Sequence, residues 1–324
     1  MAVRGRMKVG FLASLLILAA CGEEPATVPV TEQPPIGGEG RPRSLAEAVN
    51  GQSAVPLWQV SDEDTVLTIV GTIQFVPPGT AWQTPSLKSA LAQADGLILE
   101  ADILSPDAVR AANLAVTNSA SAPAGQELSS FFSESQRREI NERLARFDTN
   151  LTEIDSYRPW FASMQVSLLA LIMGGGDPAS GTDVALAREA EARSLPVRYL
   201  ETASEQIALL ADGEDAREAA YFYDLLGDLD NPEAYYADLL AAWYEGDVRR
   251  LDFLRNERLA GHADRRGRFL LDRNRRWAET LAELLAEEPG EFVVAVNIAH
   301  LVGLGSLPTR LEELGYEAER VDTP

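Results

Sequence analysis

Four polar side chains directly follow short apolar runs, and they are the strongest candidates for chemistry in this sequence. Each apolar run is typical of a buried strand. The side chains that follow them are Gln74, Glu100, Glu201 and His300. Open α/β sheets bind ligands at the carboxyl ends of their strands, so we expect these four groups to share one site. The alternative for Glu100 is a structural ion pair, for which Arg158 and Arg273 are available.

Other common catalytic motifs are missing from the sequence. It contains no Gly-x-Ser-x-Gly elbow, no phosphate-binding loop and no His-Glu-x-x-His. Of the two histidines, His300 follows an apolar run, whereas His262 lies in a charged stretch and is expected to be a solvated loop residue. Cys21 is the only cysteine.

The elements that must position these residues alternate between strand and helix patterns. We predict a hairpin over 55–60 and 65–70 and strands over 96–100, 197–201, 291–296 and 316–321. Helices are predicted over 87–94, 131–147, 185–193, 204–259 with two breaks, 269–287 and 307–314. The fold class is α/β, with a mixed central sheet flanked by helices. A helical insertion separates the N- and C-terminal strand-bearing parts. Residues 44–324 form a single domain.

The first residues have the pattern of a bacterial lipoprotein signal. A basic start and an apolar run over 9–20 lead to Leu18-Ala-Ala-Cys21, which is similar to a lipobox. We therefore expect a signal peptide over 1–20, lipidation of Cys21, and a flexible tether over 21–43. The alternative is an ordinary signal peptide with a chance cysteine. If Cys21 carries lipid, thiol chemistry is excluded.

The charge of the chain limits its partners and its attachment. The formal net charge is −22, which repels nucleic-acid phosphates and anionic lipid headgroups, so we expect no nucleic-acid partner. Attachment to a membrane would then depend on the acyl chains at Cys21. Gly22 stands where an aspartate would indicate retention at the inner membrane, so we expect the outer membrane, facing the periplasm.

The order of short motifs along residues 57–321 resembles the TraB/GumN family, which includes PrgY and, more distantly, the Tiki proteases. The motifs are Leu57-Trp-Gln-Val60 with Val70-Gly-Thr-Ile73, Leu97-Ile-Leu-Glu100, Arg158-Pro-Trp160, Gly181-Thr-Asp183, Leu200-Glu-Thr202 with Gln206, Asp272-Arg-Asn274 with Trp277, and Ala299-His-Leu-Val-Gly303. Their shared order supports the resemblance more strongly than any single motif.

This resemblance implies a metal-dependent peptidase that uses two Gly-x-x-His motifs with acidic residues. Gln74, Glu100 and His300 would then hold a divalent metal such as Mn²⁺, Co²⁺, Zn²⁺ or Ca²⁺. Glu100, Glu201 and His300 would be catalytic, with support from Arg158, Arg273 and Asn274. The sequence departs from both motifs, with Gln74 in place of histidine and Asn297 in place of glycine. The glutamine weakens the metal expectation, because a neutral amide oxygen suits Ca²⁺ or Mg²⁺ more than Zn²⁺. The asparagine is tolerable because it accepts left-handed backbone better than most residues.

Three functions remain open on the sequence alone. The first is an envelope-anchored, metal-dependent peptidase or hydrolase with a degenerate metal site. The second is a non-catalytic binding or inhibitory protein that sequesters a peptide, a protein segment or another envelope ligand in the same cleft. The third is a purely structural envelope protein, and it requires that Gln74, Glu100 and His300 do not converge.

Overall fold

The computed structural model describes residues 41, 42, 44–49, 51–256 and 261–321. The signal peptide, Cys21 and nearly all of the expected tether lie outside these residues. Within them, none of the helices combines the length and the apolar character needed to cross a membrane.

Six strands form one mixed sheet, which confirms the predicted α/β class. The strands are β1 (Leu57–Ser61), β2 (Thr65–Thr72), β3 (Gly96–Leu99), β4 (Val197–Tyr199), β5 (Gly290–Asn297) and β6 (Ala318–Arg320), in the spatial order β4-β3-β5-β2-β1-β6. β1 runs antiparallel to its neighbours β2 and β6, whereas β2, β5, β3 and β4 are mutually parallel. The predicted hairpin is therefore the β1–β2 pair.

Helices cover both faces of the sheet's centre. β2 and β5 are buried along almost their whole length, as expected for parallel strands that are covered on both sides. The described α-helices are α1 (Leu45–Ala48), α2 (Pro85–Gln93), α3 (Pro106–Ser119), α4 (Glu134–Ala145), α5 (Leu151–Ile154), α6 (Pro159–Met173), α7 (Thr182–Arg193), α8 (Ala203–Ala211), α9 (Asp215–Leu225), α10 (Pro232–Tyr244), α11 (Val248–Arg255), α12 (Ala263–Arg266), α13 (Asp272–Glu287) and α14 (Leu307–Glu313). Most of them lie between β3 and β5, where the helical insertion is predicted.

Two long helices, α3 and α6, are not predicted from the sequence. α3 begins at Pro106, directly after Ser105, whose side chain caps the helix, and α6 begins at Pro159. α6 is apolar on most of its surface, so it lacks the polar face that produces a helical period. The segment 204–259 also contains one break more than predicted, at Gly246, whose φ of 73° ends α10.

A buried ion pair joins α10 to α11. Asp238 and Arg250 are fully buried, and the guanidinium donates to both carboxylate oxygens. Arg41, near the start of the described chain, places its Nε 3.9 Å from Asp238 Oδ1. The N-terminal segment therefore already contacts the domain at Arg41.

Asp238→Asn should destabilise the fold by about 3 kcal/mol, because it leaves the buried Arg250 charge without its carboxylate. Urea unfolding followed by circular dichroism measures the loss. The matched control is Asp107→Asn, which breaks the exposed pair with Arg110 and should change stability little. Equal effects of the two substitutions would show that the Asp238–Arg250 pair does not hold α10 and α11 together.

Candidate functional site

The four predicted site residues follow the four parallel strands at one edge of the sheet. Since the spatial order is β4-β3-β5-β2, the residues that follow the strands come in the order Glu201, Glu100, His300 and Gln74. The backbone ladder continues beyond β3 and β4, where Glu201 N donates to Glu100 O at 2.9 Å. This hydrogen bond places the two glutamates side by side.

Arg273 joins three of these groups. Its Nη2 donates to Glu100 Oε2 at 2.7 Å and to Glu201 Oε1 at 2.6 Å, and its Nε donates to Glu201 Oε1 at 3.0 Å. Its Nη1 donates to the backbone oxygen of Phe269 at 3.1 Å and lies 3.0 Å from His300 Nε2. We call Arg273, Glu100, Glu201 and His300 the Arg273 cluster. The cluster and the carbonyl oxygen of Phe269 together use every N–H direction of the guanidinium.

A π-helical turn and an indole ring fix the position of Arg273. The turn spans Gly267–Leu271 and leads directly into α13, so Phe269 offers its carbonyl oxygen to Arg273. Such widened turns are frequent at functional sites. Trp277, one turn further along α13, lies under the guanidinium with its ring centre at 4.4 Å, and it packs on His300 at 4.5 Å. The cluster is therefore held by the helix as well as by its ion pairs.

The hydrogen bonds of Asn274 decide which nitrogen of His300 carries the proton. Asn274 Nδ2 donates to the carbonyl oxygens of Gly305 at 2.8 Å and His300 at 3.4 Å, so its Oδ1 is the atom that faces His300 Nδ1 at 2.6 Å. Nδ1 must then carry the proton. The lone pair of Nε2 accepts the hydrogen bond from Arg273, because a guanidinium can only donate.

His300 is neutral in this environment. Its side chain is fully buried, and burial, together with the charges of Arg273 and Arg255, lowers the pKa of its imidazole well below the ordinary value. Asn274 orients the ring and Arg273 occupies its lone pair. His300 is thus a positioned acceptor within the cluster.

Glu100 receives hydrogen bonds on both oxygens. The N–H of Asn297 donates to Oε1 at 2.7 Å, and Gln206 Nε2 donates to Oε2 at 3.3 Å beside Arg273. Asn297 has φ −54°, so the substitution of glycine by asparagine is tolerated here without any left-handed backbone. Its side chain instead accepts from Ala299 N at 3.1 Å and starts the short 3₁₀ turn that carries His300. Asparagine is accommodated here because it caps that turn.

Burial and neighbouring charges shift the pKa values of Glu201 and Arg273. Burial raises the pKa of Glu201, against the lowering effect of Arg273. Burial alone would lower the pKa of Arg273, but Glu100 and Glu201 more than offset it, and the pKa lies above its ordinary value. Arg273 therefore stays charged.

Gln74 and the start of α7 are tied together. Ile73 N donates to Thr182 Oγ1 at 2.9 Å, and Thr182 N donates back to Ile73 O at 3.0 Å. This brings Asp183, in the first turn of α7, to the same edge of the sheet as Gln74. Gln74 Nε2 is buried without a hydrogen-bond partner. Burial raises the pKa of Asp183 to about 6. Hydrogen bonds from the backbone N–H groups of Val184 and Asp183 oppose this rise, and the charge of Glu100 adds to it.

Two sequence-based expectations about supporting residues need correction. Arg158 does not contact the site carboxylates, because it pairs with Asp215 at 2.9 Å and donates to the carbonyl oxygens of Ala211 and Gly213. His262 is not a solvated loop residue, since its side chain is only 10% exposed and its Nε2 lies 2.9 Å from Asp224 Oδ2. The structure places Arg273 and Asn274, by contrast, inside the site.

Comparison with known proteins identifies the family of this chain. The profile of the TraB/PrgY/gumN family matches residues 56–320, which include all six strands and the whole Arg273 cluster. The chain belongs to the TraB/PrgY/gumN family. Relatives include the proteins described as uncharacterized protein YbaP of Escherichia coli (strain K12) and of Shigella flexneri. Each is 26% identical over 244 residues, which cover 75% of this chain and 86% of the relative. No solved structure matches.

Two residues of this TraB/PrgY/gumN site are not among the predicted site residues. Asp183 and Gln206 both occur in the motifs that carry the resemblance, but neither directly follows a predicted strand: Asp183 precedes the helix predicted over 185–193, and Gln206 lies inside the next predicted helix. The sequence signal that could have found both residues is a polar side chain in the first turn of a helix. The predicted convergence of Glu100 and His300 is observed, with Glu100 Oε1 3.9 Å from His300 Nε2.

Asp183→Asn should stabilise the protein by about 1–2 kcal/mol at pH 7.5 and have little effect at pH 3.8 or below. The folded pKa of about 6 exceeds the ordinary 3.8. The stability linked to Asp183 is therefore complete below pH 3.8 and is lost as the pH rises through about 6. Denaturant titrations across this range measure the difference. The exposed Glu283→Gln is the control, and a destabilised or pH-independent Asp183→Asn would contradict the burial of this charge.

Proposed function

We propose that this protein is an envelope-anchored TraB/PrgY/gumN family member that binds a peptide or a related envelope ligand without metal-dependent hydrolysis. The observation that carries the proposal is the hydrogen bond from Arg273 Nη1 to His300 Nε2. It removes the lone pair of the site's imidazole from metal coordination. Two buried polar atoms at this edge, Gln74 Nε2 and Gln206 Oε1, have no hydrogen-bond partner and can contact a ligand.

The residues present do not fit the metal that the family resemblance implies. His300 Nε2 faces a guanidinium, and Glu100 uses both oxygens for hydrogen bonds. Arg273 is a fixed positive charge among the very carboxylates that a cation would need. In the described part of the chain, no group of three or more His, Cys, Asp or Glu side chains is arranged to hold a metal ion. Gln74 adds only a neutral amide to this set.

A metal-dependent hydrolase is the second candidate. The 3.9 Å distance between Glu100 Oε1 and His300 Nε2, at the edge that also carries Gln74, favours it. That function requires Arg273 to leave the cluster, which would break its ion pairs with Glu100 and Glu201. Because those groups are largely buried, the displacement is costly.

Isothermal titration calorimetry with Mn²⁺, Co²⁺ and Zn²⁺ separates the two candidates. We expect wild-type protein to bind each metal weakly, with a dissociation constant above about 100 µM, which corresponds to less than about 5.5 kcal/mol. Gln74→His should strengthen binding by adding an imidazole, and Gln74→His with Arg273→Gln should strengthen it further by releasing the His300 lone pair. Tight stoichiometric binding by the wild type would overturn the binding-protein proposal.

The envelope location rests on the lipobox at Cys21, which lies outside the described residues. Several acyl chains at one residue suffice for firm attachment. Cys21→Ala should therefore move nearly all of the protein from the membrane fraction to the soluble fraction and abolish labelling by radioactive palmitate. Cell fractionation followed by immunoblotting measures the change. A variant that stays membrane-bound after a high-salt wash would contradict lipid anchoring.

A further inference from the structure

The second half of α6 presents an apolar face at the surface. Ile172 and Met173 are 38% and 48% exposed, and Leu168 and Leu169, one turn earlier, are half-buried. Residues four apart on a helix lie on the same side, so Leu168 lies beside Ile172 and Leu169 beside Met173. We call these four residues the α6 face. A surface helix normally carries polar side chains on its outer side, and the α6 face has none.

α6 itself contributes no charge to this part of the surface. None of residues 159–176 is charged, although charged residues make up 24% of the chain. The other large apolar side chains that are exposed in the described part of the chain are separated from one another in the sequence: Leu114, Tyr199, Leu304 and Leu314. Such single residues are common on soluble proteins, whereas an uninterrupted apolar face marks contact with an apolar partner.

The start of the described chain lies at the same end of α6. Gly175, two residues after Met173, has φ 87°, and a Cβ there would lie 3.3 Å from Leu45 Cδ1. Arg41 precedes Leu45 by four residues and therefore lies within about 14 Å of it. Its Nε is 3.9 Å from Asp238 Oδ1 of α10. The chain that leads back to Cys21 therefore leaves the domain near the α6 face.

We propose that the α6 face lies against the phospholipid bilayer to which Cys21 attaches the protein. This inference rests on the envelope anchoring in the proposed function and gives the anchored domain an orientation. Cys21 precedes Arg41 by 20 residues, which reach about 70 Å at most. The anchor therefore keeps the domain close to the bilayer, and the end of α6 is the part of its surface where the anchoring chain arrives.

The lack of charge on α6 suits contact with a bilayer. The formal net charge of −22 repels anionic headgroups, so an uncharged face is the one that approaches a membrane at least cost. α6 has 15 residues and is about 22 Å long, which is too short to cross a hydrocarbon core of about 30 Å. The apolar side of a helix at the interface enters the boundary between headgroups and acyl chains by about 5–10 Å.

Fluorescence from a single labelled cysteine tests the inference. Cys21 is the only cysteine and carries lipid under the proposed function, so an introduced cysteine is the only free thiol. Met173→Cys is labelled with nitrobenzoxadiazole on the lipidated full chain, which is then reconstituted in phosphatidylcholine vesicles. Leu314→Cys is the matched control, because both side chains are 48% exposed. We expect nitroxide-labelled phosphatidylcholine to quench the label of Met173→Cys at least about twofold and that of Leu314→Cys hardly at all.

A charge in the α6 face should break the contact. Ile172→Glu combined with Met173→Cys should reduce the quenching to that of Leu314→Cys, because a carboxylate beside acyl chains is costly. Leu114→Glu combined with Met173→Cys adds the same charge at an exposed position on α3 and should leave the quenching unchanged. Circular dichroism checks that each variant is folded.

The outcomes separate failure of the inference from failure of the proposed function. Equal quenching of Met173→Cys and Leu314→Cys would overturn the inference, while palmitate labelling of Cys21 would still support anchoring. A blue-shifted emission from Met173→Cys without nitroxide quenching would also overturn it, since a second copy or another protein would then cover the α6 face. Absence of palmitate from the wild type would overturn the anchoring itself, and the inference with it.

Discussion

The arrangement of the site depends on one buried guanidinium. Arg273 touches two carboxylates, one imidazole and one backbone carbonyl, and no other side chain at the sheet edge contacts as many predicted site residues. Without its charge, Glu100 and Glu201 would repel each other at the ends of neighbouring strands. Without its N–H groups, the lone pair of His300 would lack a donor. The positions of Glu100, Glu201 and His300 are therefore set by an arginine on α13, a helix that does not directly follow any of their strands.

Two features of the fold bring the glutamates and this arginine together. Four parallel strands bring their carboxyl ends to one edge, which places Glu100 and Glu201 side by side although they lie 101 residues apart in the sequence. The π-helical turn before α13 then presents Arg273 to that edge, and Trp277 supports its face. Gathering like charges is unfavourable, and the helix provides the compensation. Among the described residues Asp183 forms no ion pair, and its carboxylate accepts only hydrogen bonds from the backbone N–H groups of Val184 and Asp183.

The sequence predicts well which residues follow the strands. It predicts less well which side chains those residues contact. Strand ends such as Glu100 and His300 are predictable, because a short apolar run and the polar residue after it are local features. The partner of each group is not local. Arg158 and Arg273 were equivalent candidates in the sequence, and only the packing of α6 against α9 directs Arg158 to Asp215. The torsion angles of Asn297 likewise depend on the 3₁₀ turn that it caps.

The residue at position 74 and Arg273 act on the same competition, between a metal ion and the guanidinium, for Glu100 and His300. A divalent cation at this edge would compete with the guanidinium for Glu100 and for the lone pair of His300. A histidine at position 74 would add a strong ligand and so favour metal binding over the ion pairs of Arg273. Glutamine adds only a weak, neutral one, so the ion pairs of Arg273 prevail. Under the proposed function, the Arg273 cluster is a fixed side of the binding site, and the buried polar atoms beside it that have no hydrogen-bond partner, Gln74 Nε2 and Gln206 Oε1, contact the ligand.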